Sequence, residues 1–289
     1  DDSGVAPPSE WNQPDFQPEG WSYGSTPMGH GFPTQYSQLI LNDNPLAYWP
    51  LGDEGDVAVD LTGNGHNGVI DAGVTKGQTD LVGVNTDGAV RTTGNSRIVV
   101  PGFEKFPEGS TGYTAEYWIT IHKPPRRSHN IVGDGEGRND FYVTNYLSRD
   151  GRISTNSPTK EVVLNSKASG LKLNVGQTYH VVTVYDPGRL RGEIYVNGQR
   201  DEVIGLTQDL PQNTDNPIYI GKDDRGSSGD ITVDEVAIYN YPLSERQIQE
   251  HYAAAGLAAT TEVDGNRSSV YLRHEFSIED PVDDTNLIL

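Results

Sequence analysis

Short β-branched and aromatic runs that stop at turn residues constrain this chain more than any other feature. Runs such as YHVVTVY (179–185) and EIYVNG (193–198) consist of residues that fit a pleated sheet, and they are too short for most helices. No long helical periodicity competes with them. Among 289 residues, 33 Gly and 18 Pro supply frequent turns, and 15 Tyr supply amphipathic strand surface. The pattern predicts an all-β sandwich. A chain of this length holds one large β domain or two ordinary ones, and either size carries a substantial core.

The formal net charge of −20 speaks against nucleic acid, whose phosphates are bound by clustered Lys and Arg. It speaks equally against direct binding to an anionic membrane, and no run is long and apolar enough to span one. Arg outnumbers Lys by 14 to 7. Such an acidic, lysine-poor surface is similar to that of proteins from salt-loving organisms, where counterions screen self-repulsion; an ordinary acidic extracellular protein reads the same way. With no Cys, disulfides, zinc–thiolate sites and thiol catalysis are all removed. The chain opens DDSGVAPPSEW, with no charged-then-apolar leader; we expect any export signal to have been removed or never present.

Three segments follow from composition. In residues 1–36 Pro and Gly recur too often for a helix or a central strand, so an extended arm is expected. Trp11, Phe16, Trp21, Tyr23, Phe32 and Tyr36 give it more aromatic surface than a solvated linker needs. It is either a strap over its own domain or an assembly arm that docks on a neighbouring subunit. Residues 37–257 contain no repeat, low-complexity tract or linker and read as one domain. In residues 258–289, Val270, Leu272, Phe276 and Ile278 alternate with polar residues, interrupted by His274, as one strand added to a sheet edge would. The sequon Asn266-Arg-Ser268 lies in this extension.

Five motifs succeed one another in the central domain. LNDNPLAYWPLGD is an apolar, aromatic strand, and DLTGNGHNGVI is an acidic, Gly-rich turn cluster leading into another. YTAEYWITIH precedes GQTYHVVTVYDPGRLRGEIYVNGQRDE, a pair of strands whose second ends at the tight turn Asn197-Gly198. The fifth, DITVDEVAIYNYPLSERQIQEHYAAAG, reads as a last strand and a short helix. Ser244 is its N-cap, Gln247 completes a capping box, Leu243 and Ile248 form a hydrophobic staple, and Gly256 suits the C′ position.

In order and spacing the five motifs resemble the laminin G-like modules of the concanavalin A-like lectin and glucanase superfamily, in particular their bacterial and viral branch. The resemblance implies a two-sheet antiparallel jelly roll with one short C-terminal helix. Related modules often hold a structural calcium between an early acidic loop and the last strand. That implies Asp60, Asn64 and Asp234 as ligands, with Asp53 or Glu54 as an addition; otherwise these residues only cap turns. The acidic loop 133–140, GDGEGRND, reads as a turn.

Glucanases of this superfamily place catalytic acids at alternate positions of one strand, and that Glu-x-Asp-x-Glu pattern is missing. In VDEV, Asp234 and Glu235 fall on opposite faces of a regular strand, while Glu275 and Glu279 lack a middle acid. The sequence also lacks a sialidase-type Ser-x-Asp-x-Gly-x-Thr box. His66, His122, His129, His180 and His251 show no catalytic spacing and read as surface or strand-packing residues. We therefore assign no catalytic residue.

A sugar face needs aromatic rings flanked by amides and carboxylates, which Tyr142, Asn145, Tyr146, Asp223, Asp224 and Arg225 offer. Arg126 and Arg127 read as a solvated loop. Two functions survive. One is a non-enzymatic structural or adhesive component of an extracellular assembly, as on a virion surface, with partner subunits held by the arms. The other is a secreted or cell-surface lectin that binds glycans.

Overall fold

The computed structural model describes residues 35–83, 87–94, 96–104, 106–126, 128–133, 144–156, 167–205, 217–222 and 229–257. Trp11, Phe16, Trp21, Tyr23, Phe32, Tyr142, Asp223, Asp224, Arg225 and the whole extension 258–289 lie outside these residues.

The described residues fold as two packed antiparallel sheets of eight strands each. The first sheet runs β14 (Gln199–Gly205), β13 (Arg191–Val196), β12 (Thr178–Asp186), β7 (Tyr113–Lys123), β16 (Asp230–Tyr239), β5 (Ala89–Thr93) and β4 (Thr75–Gln78). A further strand, β1 (Ala47–Trp49), also pairs with β16. The second runs β11 (Lys167–Ala168), β10 (Ile153–Asn156), β9 (Thr144–Leu147), β8 (His129–Gly133), β15 (Ile218–Gly221), β6 (Arg97–Val100), β3 (Gly68–Ile70) and β2 (Val57–Ala58). Between them lies the main core, in which Trp49, Tyr117, Ile119, Val181, Ile220 and Ile238 are all fully buried.

The expected turn between β13 and β14 is present: Asn197 and Gly198 both take positive φ, at 52° and 73°, as a two-residue hairpin of the primed type requires. Helix α2 (Glu245–Tyr252) starts with the expected capping box, Ser244 and Gln247 bonding reciprocally, and Leu243 and Ile248 are both buried beneath it. It passes into a wider turn, Ala253–Leu257, where Gly256 takes φ 68°.

A second helix, α1 (Gln35–Asn42), was not expected. Tyr36 and Ile40, one turn apart, are 0% and 1% exposed, and this single apolar stripe holds the helix on the first sheet. The boundary drawn at 36/37 therefore falls inside a packed helix, and Tyr36 belongs to the domain rather than to an arm.

The two helices change what the first sheet is. Its inner face meets the second sheet, while its outer face carries a second core of Tyr48, Trp118, Val182, Tyr195 and Tyr239 under Tyr36, Ile40, Leu243 and Ile248. Nine successive residues of β7, Tyr113–Ile121, are consequently buried on both faces. Any polar side chain at an outward position of β7, β12 or β16 must then find a partner inside the protein.

Candidate functional site

The outer face of the first sheet buries two groups of charged side chains. Glu116, at an outward position of β7, is fully buried and receives four contacts. His180 Nε2 lies 2.7 Å from Oε1, His251 Nδ1 lies 3.0 Å from both oxygens, and the Tyr239 hydroxyl donates to Oε2 at 3.2 Å. On its far side, His251 Nε2 reaches Asp43 Oδ2 at 3.0 Å, just beyond α1. Burial alone would raise the Glu116 carboxyl, but the charge of His251 and the bonds from His180 and His251 outweigh it and hold it well below the carboxylate range. Burial would likewise lower His251, yet Glu116 and Asp43 carry it up to about 10. Thus Asp43⁻–His251⁺–Glu116⁻ ties both helices to the sheet. His180 and His251 were expected to be surface or strand-packing residues, and both turn out to be buried ion-network members. An acid at an outward position of an otherwise apolar strand, in YTAEYWITIH, was the available signal.

The second group arises from a break in pairing. One edge of β16 pairs with β5 through Asp230–Val233 and then with β1 through Val236–Ile238. Asp234 and Glu235 occupy the gap. Asp234 faces Trp118 and Ala237 faces Glu116, so β16 spends two residues where β7 has one, a β-bulge in which Glu235 takes φ 52°. The bulge overturns the expected alternation: Glu235 accepts the Tyr48 hydroxyl on the outer face, beside Asp234, and both acids are 1% exposed. Asp234 accepts the Leu81 N–H at 2.9 Å. Desolvation first, then Glu235, Asp80 and Asp87, push its carboxyl well above the ordinary range. Asp87 shares a hydrogen bond with Asp80 and rises to about 7; desolvation leads, although one side of Asp87 faces solvent, and the bond and charge of Asp80 follow. The main chain at Gly52 closes the gap so tightly that a Cβ there would stand 2.5 Å from the Asp87 carbonyl oxygen.

The structure commits each of the three expected metal ligands to hydrogen bonds within the protein. Asp60 collects the N–H groups of Tyr48, Thr62 and His66 and the Thr62 hydroxyl, at 2.7–3.1 Å, and acts as the hub of its own loop. Asn64 donates to the Leu46 carbonyl at 3.0 Å. Asp53 accepts the Val59 N–H at 3.1 Å, and Glu54 is exposed. Only Asp234 joins an acidic group, and its companions are Glu235, Asp80 and Asp87. Among the described residues no three acids or imidazoles converge as a ready cage. Calcium at the gap would complete its roughly six to eight oxygens from backbone carbonyls and water. The side-chain donors there are all oxygen, which suits the ion, although Asp234 already accepts the Leu81 and Glu235 N–H groups.

Of the expected sugar-binding residues, Asn145 is fully buried with neither side-chain polar atom hydrogen-bonded, and Tyr146 is 7% exposed. Neither presents a stacking surface. An open cleft of about 230 Å3 lies instead at one end of the sandwich. Ile121, Pro124, Leu173 and Val175 give it an apolar lining, and Arg149, Asp150, Lys172 and Asn174 its polar side chains. The β9–β10 turn is fastened to the segment before β12 by Leu173 N–H to Gly151 O at 2.8 Å and Arg152 Nη1 to Ser169 O at 2.8 Å. The Gly176 N–H bonds the Ile121 carbonyl at 2.8 Å, which pins the same segment to β7. No sequence motif marked this cleft, because its walls come from three distant segments.

A family model described as the concanavalin A-like lectin/glucanases superfamily, laminin G type, matches residues 63–249, more than half of the chain. The chain belongs to that family. No curated protein sequence matches this laminin G-like module.

Among solved structures the module is similar to the binding domain of Paraclostridial Mosquitocidal Protein 1, at a TM-score of 0.58 and 18% identity over 74% of this chain and 53% of that one. It is similar to the receptor binding domain of botulinum neurotoxin type G at 0.53 and 12%, over 72% of this chain and 51% of that one. Trypanosoma rangeli sialidase matches at 0.55 and 16%, over 74% of this chain and 33% of that one. The module spans about half of each toxin domain and a third of the sialidase. At these identities the likeness is one of fold.

Proposed function

We propose that the chain is a non-enzymatic adhesive module that recognises glycans at the end of its sandwich. The observation that carries this reading is the composition of the cleft. Its described lining holds a single carboxylate, Asp150, whereas glycoside hydrolysis by the usual routes takes two. Asp150 is moreover engaged by Arg152 Nε at 3.1 Å and by the Ser148 hydroxyl. An apolar floor with a few polar groups on a rigid rim is the composition of a binding site. Two of the structural neighbours are binding domains by name, which supports the same reading. The test is a glycan panel and a hydrolysis assay on the same preparation, with calcium present. Binding without turnover is expected, and turnover of any sialoside or glucan would overturn the reading.

For its setting we propose an extracellular one, on a virion or cell surface, with residues 1–34 and 258–289 as the contacts to neighbouring subunits. The aromatic content of the N-terminal segment supports this. A chain lacking residues 1–34 should fold yet fail to enter the assembly; normal incorporation would refute it. We also propose that calcium binds at the gap in β16 through Asp234, with backbone carbonyls and water completing its shell, rather than through Asp60 and Asn64.

A further inference from the structure

We infer that the end cleft takes an acidic sugar residue, a pyranose bearing a carboxylate or a sulfate, whose anionic group sits between Arg149 and Lys172. The inference rests on the binding reading above and names the ligand class of that site.

The cleft collects two cations in an acidic chain. The chain has 41 acidic and 21 basic residues, so a surface cation should rarely lack a carboxylate. Seven other described arginines lie within ion-pair reach of one, from Arg91 with Asp230 at 2.7 Å to Arg97 with Asp71 at 3.7 Å. Arg149 and Lys172 carry no ion pair among the described residues, and both line the same cleft. The nearest acid in sequence, Asp150, is turned to Arg152 and Ser148. Two cations on the walls of one cleft, neither ion-paired among the described residues, attract an anion placed between them.

The frame is preset for such a ligand. Gly151 takes φ 83° in the turn, and the Lys172 stem runs beside it, its Cγ and Cε 3.6 and 3.7 Å from where a Cβ would stand. Val175, 54% exposed, offers an apolar surface to the C–H face of a sugar ring, while the Asn174 side chain and the arginine fork can bond hydroxyl and acid oxygens. A volume of about 230 Å3 is below the ~300–1,000 Å3 of sites for drug-sized ligands, so one residue of a chain enters rather than several. The remote acids repel an anion, but screening beyond about 8 Å at physiological salt leaves Arg149 and Lys172 as the free local charges among the described residues, the cleft carboxylate Asp150 being paired to Arg152.

The test is calorimetry on the full chain with matched oligosaccharides that carry a uronate or sulfate and their neutral counterparts. Acid-selective binding is expected, weakened about tenfold or more by R149A and by K172A, and largely retained by Lys172→Arg. Equal melting temperatures would show that the exposed substitutions leave the fold intact. Binding that ignores the acid, or survives both alanine variants, would overturn this inference and leave a lectin that uses another surface. Binding of no glycan at all would overturn the inference and the binding reading together.

Discussion

His251 on α2 lies 3.0 Å from both carboxylate oxygens of Glu116 on β7, across 135 residues of chain. The contact makes the C-terminal helix part of the sandwich. Removing Glu116 leaves a buried imidazolium facing only Asp43, so Glu116→Ala should destabilise the fold by about 3–5 kcal/mol in denaturant titration.

The same pair sets a pH dependence with two limbs. His251 is raised, so its contribution is complete below its ordinary value of 6.5 and is lost as pH rises towards about 10. Glu116 is lowered, so its contribution is complete above its ordinary value of 4.5 and is lost as pH falls. Stability measured from pH 3 to 10 should therefore decline on both sides of that window, and His251→Ala should flatten both limbs relative to the parent.

Asp87 acts in the opposite sense to Glu116. Its folded value, about 7, exceeds its ordinary 3.8, so its contribution is complete below 3.8 and lost as pH rises through 7. Asp80→Asn, which can donate to Asp87, should remove that loss. Calcium should do so in the parent by neutralising the pair, read as a melting temperature that rises with calcium above pH 7 and falls with chelator. A melting curve indifferent to calcium there would dismiss the ion.

Asp60 and Asp234 separate a turn hub from a metal ligand. Asp60→Ala should cost about 1–3 kcal/mol and speed amide exchange within residues 60–67, because four donors lose their acceptor, while the calcium response survives. Asp234→Asn should abolish the calcium response. The reverse pattern would restore the loop as the metal site.

Helix α1 rests on very few apolar side chains. Ile40→Ala should cost about 2–5 kcal/mol. Tyr36→Phe should cost about 1–3 kcal/mol, since the Trp118 indole N–H, now 2.9 Å from the Tyr36 hydroxyl, would stay buried without an acceptor. Thermal melts of both variants would measure this.

What could be read along the chain were features set by neighbours a few positions apart. Asn197-Gly198 needs two positive φ angles wherever it turns a hairpin, and Ser244 with Gln247 closes a helix start by itself. Periodicity failed where the environment, not the residue, set the pattern. The stripe of α1 has too few apolar positions to stand out in QYSQLILN, and the run Tyr113–Ile121 gives no sign that helices will cover its outer face.

The sequence by itself determined the class of fold, its turns and its closing helix, because strand propensity, turn chemistry and capping act over two to four residues. Only the tertiary structure decided where charge is used. A change of partner strand along β16 produced the bulge that turned Glu235 to the same side as Asp234, and two helices buried Glu116 with His180 and His251. Segments far apart in the chain brought Arg149 and Lys172 to one rim. Electrostatic energy depends on distance through space and on local burial, and neither quantity is written in the order of residues.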